Sequence, residues 1–281
     1  MRVDVHTHIA PPAMVQDRSQ FFDGEPIFQW LYESPKARLV TAESLLEAMD
    51  RDEIHRSVVF GFPWHNIETA KRHNDYVLEA ASRHPSRLIP MGCVNPLSKD
   101  ADREAQRCLQ AGARGLGELA VYENCPIDAA IADYQALIDC CRSSGGVMLV
   151  HANEPIGHAY PGKAPFGVEF YYEIARRAEG MPLILAHWGG GLGFYGLLKK
   201  EVPEVLAHVY FDTAASPYVY RQDIYAAMVR IVGPDKILFG SDYPLLAPAR
   251  YLREIESADL GAEVVQAIVG GNASRLFGVA M

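Results

Sequence analysis

The feature that most constrains this chain is an alternation. Short, mostly apolar runs follow one another along the whole sequence, separated by stretches with helical periodicity. The runs are Arg2–His6, Ser57–Phe60, Leu88–Val94, Ala113–Glu118, Val147–His151, Leu183–His187, His208–Asp212 and Lys236–Ser241. Near-continuous apolar character is what parallel strands need when helices cover them. Between them, apolar residues recur at helical spacing: Leu45, Leu46 and Met49 in Ala42–Arg51, then Ala70, Tyr76, Val77, Leu78 and Ala81 in Asn66–Arg83. Ile131, Tyr134, Leu137, Ile138 and Cys141 do the same in Ala129–Cys141, with Asp128 as the expected N-cap and Gly145-Gly146 as the stop.

Eight such strands with intervening helices predict a closed (β/α)8 barrel of parallel strands with outer helices. The length of 281 residues suits one barrel domain, which commonly takes about 250. An open doubly wound sheet is the rival. It wants a glycine-rich phosphate turn after an early strand, and here the first strand ends in His6-Thr7-His8. Two connections are long, Ile9–Val40 after the first strand and Ala152–Gly167 after the fifth. Both leave the C-terminal end of a strand, where barrel enzymes keep their chemistry, so both are expected to act as lids or binding loops. The first carries Phe21, Phe22, Phe28, Trp30 and Tyr32.

The chemistry gathers at those strand ends. His6 and His8 alternate on one strand and so share a face. His151 ends the fifth run, His187 the sixth, and Asp242 follows the eighth. In a barrel these ends converge, so four histidines and one carboxylate meet at one mouth. Neutral imidazole and carboxylate are ligands for a divalent ion. Zinc is the default, with iron, manganese and cobalt also compatible. Glu118 ends the fourth run and is the next candidate, either at the metal or as a buried carboxylate beside it.

His6-Thr7-His8, His151, Ala186-His187-Trp188-Gly189-Gly190, Gly240-Ser241-Asp242-Tyr243-Pro244 and Gly271-Asn272-Ala273-Ser274-Arg275-Leu276-Phe277 resemble the amidohydrolase superfamily. The closer likeness is to the amidohydrolase-2 branch, which includes aminocarboxymuconate semialdehyde decarboxylase. The resemblance implies that His6, His8, His151 and Asp242 bind the metal. It also implies that His187 ligates it or polarises substrate beside it. Binuclear members carry a carboxylated lysine or a glutamate on the fourth strand. No lysine lies there in this chain, which leaves Glu118 as the bridging candidate. Asp242 and His187 are the expected catalytic pair. Asp242 would take a proton from metal-activated water and deliver it to a leaving group, and His187 would stabilise a developing oxyanion.

Around this centre, Glu154 is expected to orient a ligand histidine, and His158 to contact substrate. Trp188 and Tyr243 would line the pocket, with core packing the alternative for both. Arg114 faces the mouth or away from it according to the register of its strand. Asp212 either serves the mouth or caps the segment after the seventh strand. His55, His65, His73, His84 and His208 read as surface or strand-start residues.

The leading reading is a metal-dependent hydrolase acting on a small amide, lactone or ester through metal-activated water. The alternative is nonoxidative decarboxylation of an aromatic or unsaturated carboxylic acid. A net charge of −9 disfavours a nucleic-acid substrate, and so the superfamily's barrel deoxyribonucleases as a template. A purely structural metal is disfavoured because such sites are usually rich in cysteine. The five cysteines read as reduced, mostly buried thiols, and Cys93 sits where it would reach the mouth. The polar start of the chain and the lack of a long apolar run suggest a cytoplasmic protein with no membrane partner, and a homo-oligomer is compatible with the exposed aromatic loops.

Overall fold

The structure is a computed structural model that describes residues 1–280. Its strands are β1 (Val3–His8), β2 (Arg56–Phe60), β3 (Leu88–Pro90), β4 (Gly115–Leu119), β5 (Val147–Val150), β6 (Leu183–Leu185), β7 (Val209–Asp212) and β8 (Ile237–Leu238). All neighbouring pairs are parallel and follow sequence order, in one arc of β1 to β3 and a second of β4 to β8. Hydrogen bonds join the arcs at both seams. At one, Arg114 N donates to Pro90 O at 2.8 Å and Gly117 N to Gly92 O at 2.9 Å. At the other, Val5 N donates to Phe239 O at 2.9 Å and His8 N to Tyr243 O at 2.8 Å. The ring of eight strands is a (β/α)8 barrel.

The principal outer helices are α1 (Ala42–Arg51), α2 (Ile67–Arg83), α3 (Ala101–Gln110), α4 (Ile127–Ser144), α5 (Val168–Arg177), α6 (Ile224–Val232), α7 (Pro248–Glu256) and α8 (Asn272–Phe277). None of the helices among the described residues is long and apolar enough to cross a membrane. Thr41 caps α1 through its hydroxyl and Asn66 caps α2 through its amide oxygen, each satisfying first-turn N–H groups. Helix α4 begins before the expected cap: Pro126 precedes it, and Asp128 lies in the first turn, where its charge favours the positive helix end. Gly145 ends α4 in the left-handed conformation, as the sequence predicts.

Strand alternation sorts the core into two layers. Val59, Met148, Val150, Leu183, Leu185, Val209 and Phe211 face outward and pack under helix residues such as Leu45, Val77, Tyr134 and Ile174. Val3, Val5, Val58, Phe60, Leu149 and Ile184 fill the barrel, and Ala273 and Phe277 of α8 pack into the same cluster. The third and eighth strands are shorter than expected. Beyond Leu238 the next residue that faces β7 is Gly240, whose N–H donates to the Thr213 hydroxyl at 3.0 Å instead of a backbone carbonyl, so regular pairing with β7 stops. The sequence Gly191-Leu192-Gly193-Phe194-Tyr195-Gly196 has dinucleotide-loop spacing, yet it continues a 3-10 segment after β6 instead of opening an α-helix.

Two irregularities matter for the mouth. The β1–β2 register shifts between Asp4 and Thr7, and the β4–β5 register shifts between Leu116 and Leu119. A bulge re-aims one side chain against strict alternation. The first lets Val5 stay in the barrel core while His6 and His8 reach the mouth. The second turns Glu118 inward while Leu116 and Leu119 remain among the outward-facing residues.

The connection after β1 is built, not open. It contains helical turns at Pro12–Gln16, Arg18–Phe21 and Pro26–Tyr32. Ala10, Met14, Phe28, Phe62, Trp64 and Ala70 form a third apolar cluster beneath it.

Candidate metal centre

The barrel brings His6, His8, Glu118, His151, His187 and Asp242 to one place. Three sets of prospective ligand atoms each lie within 4.8 Å of one another: His6/His8/Glu118, His6/His187/Asp242 and Glu118/His151/His187. His6 Nε2 is 3.7 Å from both Glu118 Oε1 and Asp242 Oδ1. His8 Nε2 is 3.4 Å from Asp242 Oδ1 and 3.8 Å from Glu118 Oε2. His187 Nε2 is 3.3 Å from Glu118 Oε1.

The outer nitrogens of three of these rings are held by acceptors. His6 Nδ1 donates to Asp212 Oδ2 at 2.8 Å, and His8 Nδ1 to the Gly61 carbonyl at 3.1 Å. His151 Nδ1 donates to Glu118 Oε1 at 2.9 Å. A carboxylate or carbonyl can only accept, so each Nδ1 carries a proton and each Nε2 is the nitrogen left to face a cation. His6 Nε2, His151 Nε2 and His187 Nδ1 are buried without any hydrogen-bond partner. Buried polar atoms are rarely left unpaired, because desolvation then costs about 1–3 kcal/mol each. His6 Nε2, unpaired and 3.7 Å from both Glu118 and Asp242, fits a divalent cation, whose positive charge and empty orbitals would satisfy it.

The electrostatics agree. Burial alone would lower the His6 imidazole, but Asp212, Glu118 and Asp242 outweigh it and hold it up at about 10. Burial likewise works against the Glu118 carboxylate, yet His6 and His151 keep it well below the usual range. Asp242 is lowered in the same way, against burial, by His8, His6 and His187.

Local backbone serves this geometry. His187 and Asp242 both take positive φ, 53° and 56°, which costs non-glycine residues of order 1–3 kcal/mol. Asp212 Oδ1 accepts from His187 N at 2.8 Å and Ala214 N at 3.0 Å, which pins the turn. One aspartate therefore both orients His6 and anchors His187. Residue 240 has room only for glycine, because a Cβ there would sit 2.9 Å from His6 Cβ. Asp4, fully buried below, accepts from Ser241 N and Oγ, and burial pushes its carboxyl up to about 7.

Other expectations meet a different geometry. Glu154 orients no ligand histidine: its carboxylate bonds Tyr160 OH at 3.0 Å and Lys163 Nζ at 3.2 Å, and Glu118 holds His151 instead. His158 is exposed on the connection after β5, with its ring beside Tyr160. Trp188 does not face the mouth; it is buried in the wall, edge-on to Tyr225, with Nε1 donating to Ser216 Oγ at 2.6 Å. Tyr243 is also buried in the outer core, so both residues take the core-packing alternative. Arg114 points away from the mouth, to the Phe277 carbonyl of α8 at 2.8 Å. Cys93 donates its thiol to the Glu118 carbonyl at 3.1 Å, and burial pushes the thiol up, so it stays protonated. His73 is not a surface residue: it is buried, 4% exposed.

Two residues at the mouth carry no role in the sequence pattern. The Tyr122 ring packs 5.3 Å from His151, just past β4. Tyr32, from the connection after β1, packs at a tilt against Phe28, with ring centroids 4.7 Å apart. Burial raises its phenol, and the charges of Asp242 and Glu118 raise it further. Phe60 lies edge-on to His8 at 4.7 Å and His6 at 5.2 Å. The aromatic composition of the first connection was the available signal for Tyr32. Tyr122 carried none.

A sequence model of the family described as amidohydrolase matches residues 3–279. No curated protein matches the chain. Among solved structures, 5-carboxyvanillate decarboxylase from Sphingomonas paucimobilis superposes with a TM-score of 0.75 at 18% identity, covering 99% of each chain. A 2,6-dihydroxybenzoate decarboxylase complexed with 2,6-dihydroxybenzoate gives 0.71 at 19%, again over 99% of each. A dihydroxybenzoic acid decarboxylase from a Polaromonas species, with bound manganese and the inhibitor 2-nitroresorcinol, gives 0.72 at 17%, over 99% of this chain and 97% of that one.

Proposed function

This chain belongs to the amidohydrolase family, and on that premise we propose that it is a metal-dependent, nonoxidative decarboxylase of an aromatic or unsaturated carboxylic acid. The observation that carries this reading is the wall beside the histidine–carboxylate cluster. Tyr122 packs beside His151 there, buried Phe60 lies edge-on beneath His6 and His8, and Tyr32 of the first connection packs on Phe28 and Phe62. Such a wall suits a planar, unsaturated substrate. The decarboxylases that share the fold favour the same reaction over the hydrolysis that the sequence alone puts first.

We assign His6, His8, His151 and Asp242 to hold the ion, with Glu118 beside them and His187 facing the substrate. The donors are imidazole and carboxylate, which suit manganese and zinc alike. A divalent ion there would supply positive charge for the acid's oxygens and for the charge left behind as carbon dioxide departs.

The side chains provide the proton traffic. Asp242, held charged by His8, His6 and His187, takes the proton of a hydroxyl beside the carboxylate. It returns that proton to the carbon bearing the carboxylate. The carbon–carbon bond then breaks, its electron pair returns to the ring, and carbon dioxide leaves. A solvent proton restores the hydroxyl, so one carboxylate and one proton become one arene and one carbon dioxide. His187, raised by Glu118 and Asp242 despite its burial, donates a hydrogen bond to a substrate oxygen.

Hydrolysis of an amide, lactone or ester is the second reading. It is favoured by the same charged Asp242, which would serve equally as base towards water.

The test is a panel of hydroxybenzoates and of lactones and esters, incubated with protein loaded with manganese or zinc. Carbon dioxide release from an aromatic acid is expected, falling by about 100-fold or more in Asp242→Asn, the usual scale for losing a general acid–base group. Turnover of esters or lactones with no carbon dioxide from any acid would replace decarboxylation by the second reading.

A further inference from the structure

His73, on α2, is one of the chain's largest departures from sequence expectation. Its ring is buried, 4% exposed, and has its hydrogen bonds outside the metal-site cluster. Nε2 donates to the Ile9 carbonyl at 2.7 Å, and Nδ1 accepts from Trp64 Nε1 at 2.9 Å. The carbonyl can only accept and the indole N–H can only donate. The imidazole is therefore neutral, with its proton on Nε2. Burial agrees, pushing His73 down to about 4.

These contacts converge on His8. Ile9 is the next residue in the chain, and its N–H bonds Phe60 O at 3.1 Å. The face of the His73 ring lies against Gly61, where a Cβ would come within 2.9 Å of three ring atoms. The Gly61 carbonyl is the acceptor that fixes the His8 ring at 3.1 Å. Thus one ring ties down two stretches of backbone beside His8: the Ile9–Ala10 peptide, one residue further along the chain, and the neighbouring strand end at Gly61, whose carbonyl orients the His8 ring. A Cβ at residue 61 would collide with the His73 ring.

We propose that His73 is a positioning residue, which sets the direction of His8 Nε2 by bonding Ile9 and bracing Gly61. The proposal rests on the reading of His8 as a metal ligand. Partners that orient a ligand histidine typically contribute about 10- to 100-fold to metal affinity. His73 acts one contact further out, so the lower end of that range is expected.

The test is a competition titration of Mn2+ or Zn2+ alone against a chromophoric chelator, with Tm recorded for each variant. His73→Phe keeps the bulk and removes both hydrogen bonds; the metal Kd should rise about tenfold. His73→Gln retains a donor for Ile9 and should recover most of that loss. His73→Asn keeps an acceptor for Trp64 but is too short for Ile9. It carries the same expectation as His73→Phe should the latter not fold. Ile255→Ala, a core change on α7 remote from the mouth, should lower Tm and leave Kd unchanged. A Kd within about twofold of wild type in His73→Phe and His73→Asn, while His8→Ala weakens binding strongly, overturns the positioning role alone. A Kd that tracks Tm across all variants, Ile255→Ala included, overturns it as well. An unchanged Kd in His8→Ala overturns the assignment of the ligand on which it rests.

Discussion

Burial pushes the His73 imidazole down to about 4, whereas at His6 the carboxylates of Asp212, Glu118 and Asp242 outweigh burial and hold it at about 10. The same side chain is thus a fixed neutral brace in one place and a proton holder in another. The difference is the partner. His73 faces a carbonyl and an indole N–H, and the charge that reaches it, from His8, lowers it further. Acid stability depends on this. A histidine with a depressed folded value contributes fully above its unfolded value near 6.5. That contribution is lost as pH falls from there to about 4, because the unfolded chain binds the proton first. The loss is on the order of 3 kcal/mol at most. Urea unfolding of the metal-free protein at about pH 7 and about pH 4.5 should show a steeper loss for wild type than for His73→Gln. Equal losses would mean that His73 is protonated in the fold, contrary to the tautomer its two partners require.

At the scale of the element, the mouth depends on places where strands depart from regularity. The β1 bulge near His6 and the β4 bulge near Glu118 turn their side chains inward without disturbing Val5, Leu116 or Leu119. The loop after β8 is pressed against β1 so closely that only glycine fits at residue 240. Gly240→Ala would place Cβ within 2.9 Å of His6 Cβ and 3.2 Å of Asp212 Cβ, both on rigid strands. Overpacking of this kind costs about 1–3 kcal/mol. The strain would fall on the pair that orients His6, so Gly240→Ala is expected to lower Tm by several degrees and also weaken Mn2+ binding. Chelator competition and thermal denaturation on the same sample check both halves. Lowered Tm with unchanged Kd would show that the mouth relaxes independently of its backbone.

Across the whole molecule, the barrel separates stability from chemistry along its axis. The cluster sits at the C-terminal strand ends, while α8 packs Phe277 and Ala273 against the barrel interior alongside Val3 and Val5. Arg114 belongs to that opposite end, bonded to the Phe277 carbonyl. Phe277→Ala is expected to cost about 3–5 kcal/mol of stability while leaving Mn2+ affinity within about twofold. A large loss of affinity at a temperature where the variant is folded would mean that the two ends are coupled. The sequence by itself determined the alternation, and with it the barrel and the convergence of His6, His8, His151, His187 and Asp242 at one end. These depend on strand order and local periodicity, which are written along the chain. Which acceptor holds which imidazole was decided only in three dimensions. Asp212 reaches His6 across 206 positions, and Glu118 takes His151, while Glu154, close to His151 in the chain, turns away to Tyr160 and Lys163. His73 and Trp188 likewise look like surface or pocket residues in sequence. Their burial follows from the packing of α2 and of the wall beside β6, and from partners such as Ile9 and Ser216. Periodicity assigns a residue to a face. Hydrogen-bond partners and bulges depend on how separate elements meet, and no local pattern encodes that meeting.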